Sequence, residues 1–153
     1  MGDKDRYTRG SHTVTSFTYH FVWKTKYGHH VLKGEIGLRL REIIREICAQ
    51  NKMSIVKGNV RSNHVHVLVG GPAYLSPAKM LQYLKGKSSY RLQREFPGLR
   101  KVYWGRHFWS RGYFGASVGA VSEEQIKAYI ENQSDAPESF DVWDAPGPES
   151  SEL

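Results

Sequence analysis

Ser54-Ile55-Val56-Lys57-Gly58-Asn59-Val60-Arg61-Ser62-Asn63-His64-Val65-His66-Val67-Leu68-Val69 is the stretch whose reading decides the fold. It reads as two short strands, 54–60 and 64–69, separated by Arg61-Ser62-Asn63, with Gly70-Gly71-Pro72 ending the second. Side chains alternate along a strand, so Val65, Val67 and Val69 point to one face while His64 and His66 point to the other. One face is therefore a valine surface for helices to cover. The other presents two imidazoles side by side.

Upstream, Glu35 to Ala49 places Ile36, Leu40, Ile43, Ile44 and Ile47 at helical spacing with charged residues elsewhere, which predicts an amphipathic helix. Before it, Thr13 to Lys24 is rich in aromatic and β-branched residues and reads as a long strand, followed by a basic loop through His30. Downstream, Ser76-Pro77 sets a cap donor before a first-turn proline, opening a helix from Pro77 to about Leu84 or beyond, with Met80, Leu81 and Leu84 inward. Gly86 is expected to bend it before residues 88–96, and Pro97-Gly98 stops the segment. Val102 to Phe114 reads as a hairpin or bent strand broken at Gly105 and Gly112, with Gly112, Gly115 and Gly119 as a permissive connector. Ser122-Glu123-Glu124-Gln125 is a capping box that opens a helix through Gln133. This order predicts an α+β fold, a ferredoxin-like (split βαβ) antiparallel sheet with helices on one face and an additional C-terminal helix.

The 153 residues suit one domain and leave no room for separate cofactor and substrate lobes. Residues 1–122 carry 21 basic and 6 acidic side chains, a net +15, whereas residues 123–153 carry 1 and 9, a net −8. The expected organisation is a flexible basic arm over 1–12, a folded domain over 13–134 and an acidic, flexible tail over 135–153, with Phe140, Val142 and Trp143 as its anchors. A polyanion is the natural partner of so basic a body, although a merely solvated basic surface has the same composition. The single cysteine, Cys48, lies in an apolar helical stripe, which excludes a disulfide framework and a multi-thiolate metal site. No secretory h-region and no run of about 18 apolar residues is present, so the expectation is a cytoplasmic protein without a membrane partner.

Two histidines two apart on a strand can chelate a divalent cation, or can be ordinary hydrogen-bonded polar residues near a strand end. On the last helix Tyr129 and Gln133 are four apart and share a face. A phenol, with a free pKa of about 10, attacks phosphorus only where a cation or base favours the phenolate, and Gln133 offers a neutral oxygen as a third ligand. The alternative for Tyr129 is a ring packed on the sheet. Lys24, Lys26, Arg61, Lys85, Lys87, Arg91, Arg94 and Arg111 are the candidate nucleic-acid contacts, suited to positioning a phosphate backbone rather than reading bases.

The chain resembles the single-tyrosine, histidine-hydrophobic-histidine (HUH-type) transposases of small bacterial and archaeal insertion sequences, which act on single-stranded DNA. The resemblance spans about residues 13–134 and rests on Tyr19-His20-Phe21-Val22-Trp23, Lys26-Tyr27, Asn63-His64-Val65-His66, Leu84-Lys85-Gly86-Lys87-Ser88-Ser89, Phe96-Pro97, Trp109-Ser110-Arg111-Gly112-Tyr113-Phe114 and the helix Ser122 to Gln133, in that order. It implies that 13–134 is a catalytic domain, with His64, His66 and Gln133 as metal ligands and Tyr129 as the nucleophile. The implied reaction cuts one strand, forms a 5′-phosphotyrosine bond, frees a 3′-hydroxyl and rejoins strands by reversal. It would use Mg, with Mn also supporting activity, and no nucleotide cofactor. The implied partners are single-stranded DNA with subterminal hairpins and a second copy of the chain, with active sites shared between subunits.

Two departures stand out. Relatives usually continue Lys26-Tyr27 with arginines, whereas Gly28-His29-His30 follows here, and the acidic tail is unlike the basic extension of transposases associated with repetitive extragenic palindromes. Two other functions suit parts of the pattern. A noncatalytic single-stranded nucleic-acid-binding protein would need only a basic, aromatic sheet, and gives no reason for Tyr129 and Gln133 to join the histidines. A related replication or conjugation nicking enzyme commonly carries further domains.

Overall fold

A computed structural model describes residues 8–9, 14–15, 17–103, 107–119, 127–128, 130 and 143–144. The chain forms strands β1 (Thr8–Arg9), β2 (Val14–Thr15) and β3 (Phe17–Thr25), helix α1 (Gly34–Gln50), strands β4 (Ser54–Val60) and β5 (His64–Gly71), helices α2 (Pro77–Gln82), α3 (Ser88–Glu95) and α4 (Leu99–Val102), and strands β6 (Trp109–Val118) and β7 (Trp143–Asp144). The main sheet has the order β6-β3-β5-β4-β7 with every pair antiparallel. Its four long strands follow the ferredoxin-like order, the fold expected. Thr8–Arg9, inside the stretch read as a flexible arm, pairs with Val14–Thr15. Trp143–Asp144, inside the acidic tail, pairs with Gly58 and Lys57 at the outer edge of β4.

The core lies on the valine face. Val65, Val67 and Val69 of β5 and Phe21 and Trp23 of β3 meet Leu40, Ile43, Ile44 and Ile47 of α1 and Met80, Leu81, Leu84 and Leu92 of the second helical layer. The apolar stripe of α1 thus buries Leu40, Ile43, Ile44 and Ile47 as its spacing predicts, with Cys48 among them, while Ile36 is only partly buried against the core.

The second helical layer does not break at Gly86. Residues Tyr83–Lys87 form a π-helical turn joining α2 to α3, which absorbs one extra residue while the backbone stays right-handed. Ser76 caps α2, its hydroxyl accepting from the Lys79 amide, and Pro77 follows as expected.

The late aromatic segment corrects the sequence reading. Val102 ends a short helix rather than opening a strand, and β6 runs unbroken from Trp109 to Val118 through Gly112 and Gly115. Pairing with β3 over Thr18↔Val118 to Trp23↔Tyr113 holds Gly115 extended, so it is a strand residue and not a connector, whereas Gly112 lies in the register shift between Tyr113 and Trp109. At Gly115 a Cβ would come within 3.1 Å of the buried Phe21 ring, so glycine here permits close approach.

Candidate active site

The register fixes a grid of side chains on the face opposite the core. Lys24 pairs with His64, Phe114 pairs with Val22, which pairs with His66, which pairs with Asn59, and Ala116 pairs with His20, which pairs with Leu68. The His64 and His66 rings meet edge to face with centroids 4.9 Å apart. His20 stacks on His66 at 5.8 Å and takes the edge of Phe114 at 5.5 Å. His66 is buried and His64 half-buried. This face is covered near its middle, because Leu68 and Ile130 are fully buried and the Asn59 side-chain amide donates to the Ile130 carbonyl at 3.3 Å. The backbone of the C-terminal helix segment is thereby tied to the strand residue opposite His66.

The turn before His64 is braced from two sides. Arg61 and His64 close it through a backbone bond of 2.8 Å, and the Thr25 and Leu32 amides donate to the Asn63 and Ser62 carbonyls. The Asn63 side chain joins Gly28 to the site, its amide donating to the Gly28 carbonyl and its oxygen accepting from His64 Nδ1 at 2.8 Å. With the proton on Nδ1, the His64 lone pair sits on Nε2, the arrangement that suits a metal-binding imidazole. In the same loop Tyr27 holds φ at 63°, a left-handed conformation uncommon for a non-glycine residue.

Burial, followed by the charges of His64, His20 and Arg61, pushes His66 down to about 3. Burial, then Arg61, His30 and Lys24, lowers His64, and burial lowers His20. The imidazoles are neutral at physiological pH, the form that binds a divalent cation. Among the described residues no group of three or more His, Cys, Asp or Glu side chains is placed to hold a metal ion. His64 and His66 can therefore contribute two nitrogen donors, with further ligands to come from elsewhere. Tyr129 and Gln133 lie outside the described residues.

The basic candidates divide into two groups. Lys24 and Arg61 stay with the histidines, since both charges act on His64. Lys85, Lys87, Arg91 and Arg94 sit on the helical layer that covers the opposite, valine face. Lys85 Nζ donates to the Ser110 and Arg111 carbonyls at 2.8 and 3.3 Å, and Arg91 pairs with Glu46 at 2.8 Å. Lys87 lies over the Tyr83 ring and Arg94 donates to the Tyr90 hydroxyl, both exposed. Lys26 is half-buried over Tyr27, and Arg111 is exposed at the start of β6. Asn59, Asn63, Phe114 and His20 are not among the candidate site residues read from the sequence. The alternation Thr18, His20, Val22, Lys24 against Tyr19, Phe21, Trp23 carried the signal for His20.

Comparison with known proteins shows the family. The family model described as "Transposase IS200 like" matches residues 13–133. The ISDra2 transposase TnpA of Deinococcus radiodurans is 34% identical over 127 residues, covering 83% of this chain and 91% of the relative. The transposase for insertion sequence element IS200 of Salmonella typhimurium is 33% identical over 133 residues, covering 87% and 85%. A crystal structure from Deinococcus radiodurans superposes with a TM-score of 0.68 at 35% identity, over 84% of this chain and 99% of that one. A REP-associated tyrosine transposase bound to a REP hairpin shares the fold, with a TM-score of 0.61 at 15% identity over 86% and 81%. With the paired histidines on the sheet face opposite the core and this agreement over most of its length, the chain belongs to the IS200-like transposase family.

Proposed function

We propose that this transposase cuts and rejoins one strand of DNA through Tyr129, at a site built on His64 and His66 with Gln133 as third ligand. The observation that carries the reading is the pair of adjacent imidazoles on the sheet face opposite the core, next to a strand whose Asn59 holds the Ile130 carbonyl, one residue from Tyr129. A divalent cation bound there, Mg or Mn, would supply positive charge to the non-bridging phosphate oxygens. Two imidazole donors favour Mn by ligand preference, while Mg is favoured by availability and by the substrate's own oxygens.

The Tyr129 oxygen attacks phosphorus, the bond to the 3′ oxygen breaks, and that oxygen leaves as a 3′-hydroxyl after taking up a proton. The phosphate stays on tyrosine as a 5′-phosphodiester, and attack by a 3′-hydroxyl reverses the step. No nucleotide triphosphate is needed, because the energy of the broken bond is kept in the adduct. Arg61 and Lys24, beside His64, orient the phosphate. The substrate would be single-stranded DNA flanked by a hairpin, as the hairpin-bound relative suggests, and the working unit a pair of chains.

The test is a cleavage reaction with divalent cation and without ATP, followed by peptide mapping of the protein–DNA adduct. Nucleotide mass on the Tyr129 peptide, lost in Tyr129→Phe while DNA binding persists, is the expected result. Nucleotide mass on Tyr113, or a hydrolysed product with no adduct at single turnover, would overturn it.

A further inference from the structure

Beside His64 the sheet opens into a cavity of about 350 Å³, whose lining runs along β3 from Val22 to Lys24, takes Asn63 and His64 from the neighbouring strand's start, and takes Gly112, Tyr113 and Phe114 from β6. That volume is at the lower end of the about 300–1,000 Å³ typical of ligand pockets. Its cause is a β-bulge. The β3–β6 register shifts between Trp23 and Thr25, whose partners Tyr113 and Trp109 leave three β6 residues facing Lys24 alone. The ladder parts there, and Phe114 (53% exposed) and Tyr113 (55% exposed) stand at the gap.

We infer that this cavity seats one unpaired nucleobase adjoining the scissile phosphate, held by its face against Phe114. The inference rests on the proposed function. The lining matches such an occupant in shape and in charge. Phe114, Val22 and Gly112 offer a flat apolar wall, Lys24 is a cation at the mouth, and no acidic side chain lines the space. At Gly112 a Cβ would meet nothing within 4 Å, so it would stand in open space.

The polar lining also says how the base is held. The Asn63 amide is held from two sides, its oxygen by His64 and its nitrogen by the Gly28 carbonyl, which fixes its orientation at the wall. Lys24 recognises phosphate, which every nucleotide carries. Stacking accepts any base, so the seat requires a base without choosing among the four.

The experiment uses the full-length protein and plain oligo-dT carrying one 5-iodo-dU, photo-crosslinked and digested with trypsin. Cleavage after Arg111 and Lys127 puts Tyr113 and Phe114 on the 112–127 peptide and Tyr129 on the next, so a base crosslink and a tyrosine adduct are read separately. The crosslink is expected on 112–127. Phe114→Leu should weaken oligo-dT binding about tenfold and leave an all-abasic strand of equal length unchanged, and Phe114→Trp should restore it. Oligo-dA and oligo-dC should bind within about threefold of oligo-dT, by the same face-on stacking. Crosslinks confined to other peptides, equal weakening of abasic and base-bearing strands, or a Phe114-dependent preference of more than about tenfold for one base would overturn the seat. If Tyr129 still forms its adduct on a cleavable strand, the seat alone is lost. If the protein binds neither plain single strands nor a single strand flanked by a hairpin, the seat and the proposed function fall together.

Discussion

Lys85 is the residue at which DNA contact and structural anchoring part most clearly. Its ammonium rises from the π-helical turn and donates to two successive β6 carbonyls, Ser110 at 2.8 Å and Arg111 at 3.3 Å, and burial lowers its pKa. Lys85→Met keeps most of the aliphatic stem and deletes both donors. A hydrogen bond from a charged donor contributes about 1.5–3 kcal/mol. The longer of the two is past the usual optimum, and the exposed Arg111 backbone can be rehydrated, so a loss of about 1–2 kcal/mol is expected. Urea unfolding reads that loss as a lower midpoint with unchanged slope. DNA affinity measured across a salt series separates the roles, because each lost phosphate contact lowers the slope of log K against log salt by about 1. An anchoring lysine leaves the salt slope alone. Unchanged stability together with a slope reduced by about 1 would refute the anchoring role and make Lys85 a backbone contact.

Acid should weaken the fold through His66. Its folded pKa of about 3 lies below the unfolded 6.5, so its contribution is complete above pH 6.5 and is lost as pH falls toward 3, by about 2 kcal/mol at pH 5. Urea titrations with chelator at about pH 7.5 and about pH 5 should show this loss, and His66→Gln should reduce it; parallel behaviour of the two proteins would reject the assignment. Gly115→Ala should cost about 1–2 kcal/mol by pressing a methyl on the Phe21 ring, and a thermal midpoint equal to that of the parent would show that the ring yields freely. Mixing Tyr129→Phe with His64→Ala chains should restore cleavage if two copies share a site; inactivity despite proven heterodimers would reject sharing.

Helix α1 and the β4–β5 hairpin were legible because each has one strong period, 3.6 or 2, backed by a dense apolar face. Val65, Val67 and Val69 announce their partners without tertiary context, and so the parity of His64 and His66 was legible too. β6 was not. Gly115 suits a turn when read locally, and only its close approach to Phe21 and its pairing with β3 make it a strand residue. Lys85 and Ser88 have partners that were not legible for a similar reason. In sequence they belong to a basic and hydroxyl-rich run, yet Lys85 fastens β6 and the buried Ser88 hydroxyl accepts from the Trp109 indole at 3.0 Å. Those partners lie more than twenty residues away, beyond any local pattern.

The two-residue strand β7 bears on assembly. An open sheet edge is a template for further strands, and a sheet with two such edges can go on adding copies without end. Here Trp143–Asp144 occupies part of the outer side of β4, while β6 has no strand on its outer side among the described residues. A sheet blocked on one side has a single socket, and two copies joined socket to socket leave nothing to extend. Edge-to-edge growth would then stop at a closed pair, and removing the β7 segment would turn a self-limiting contact into one that can propagate.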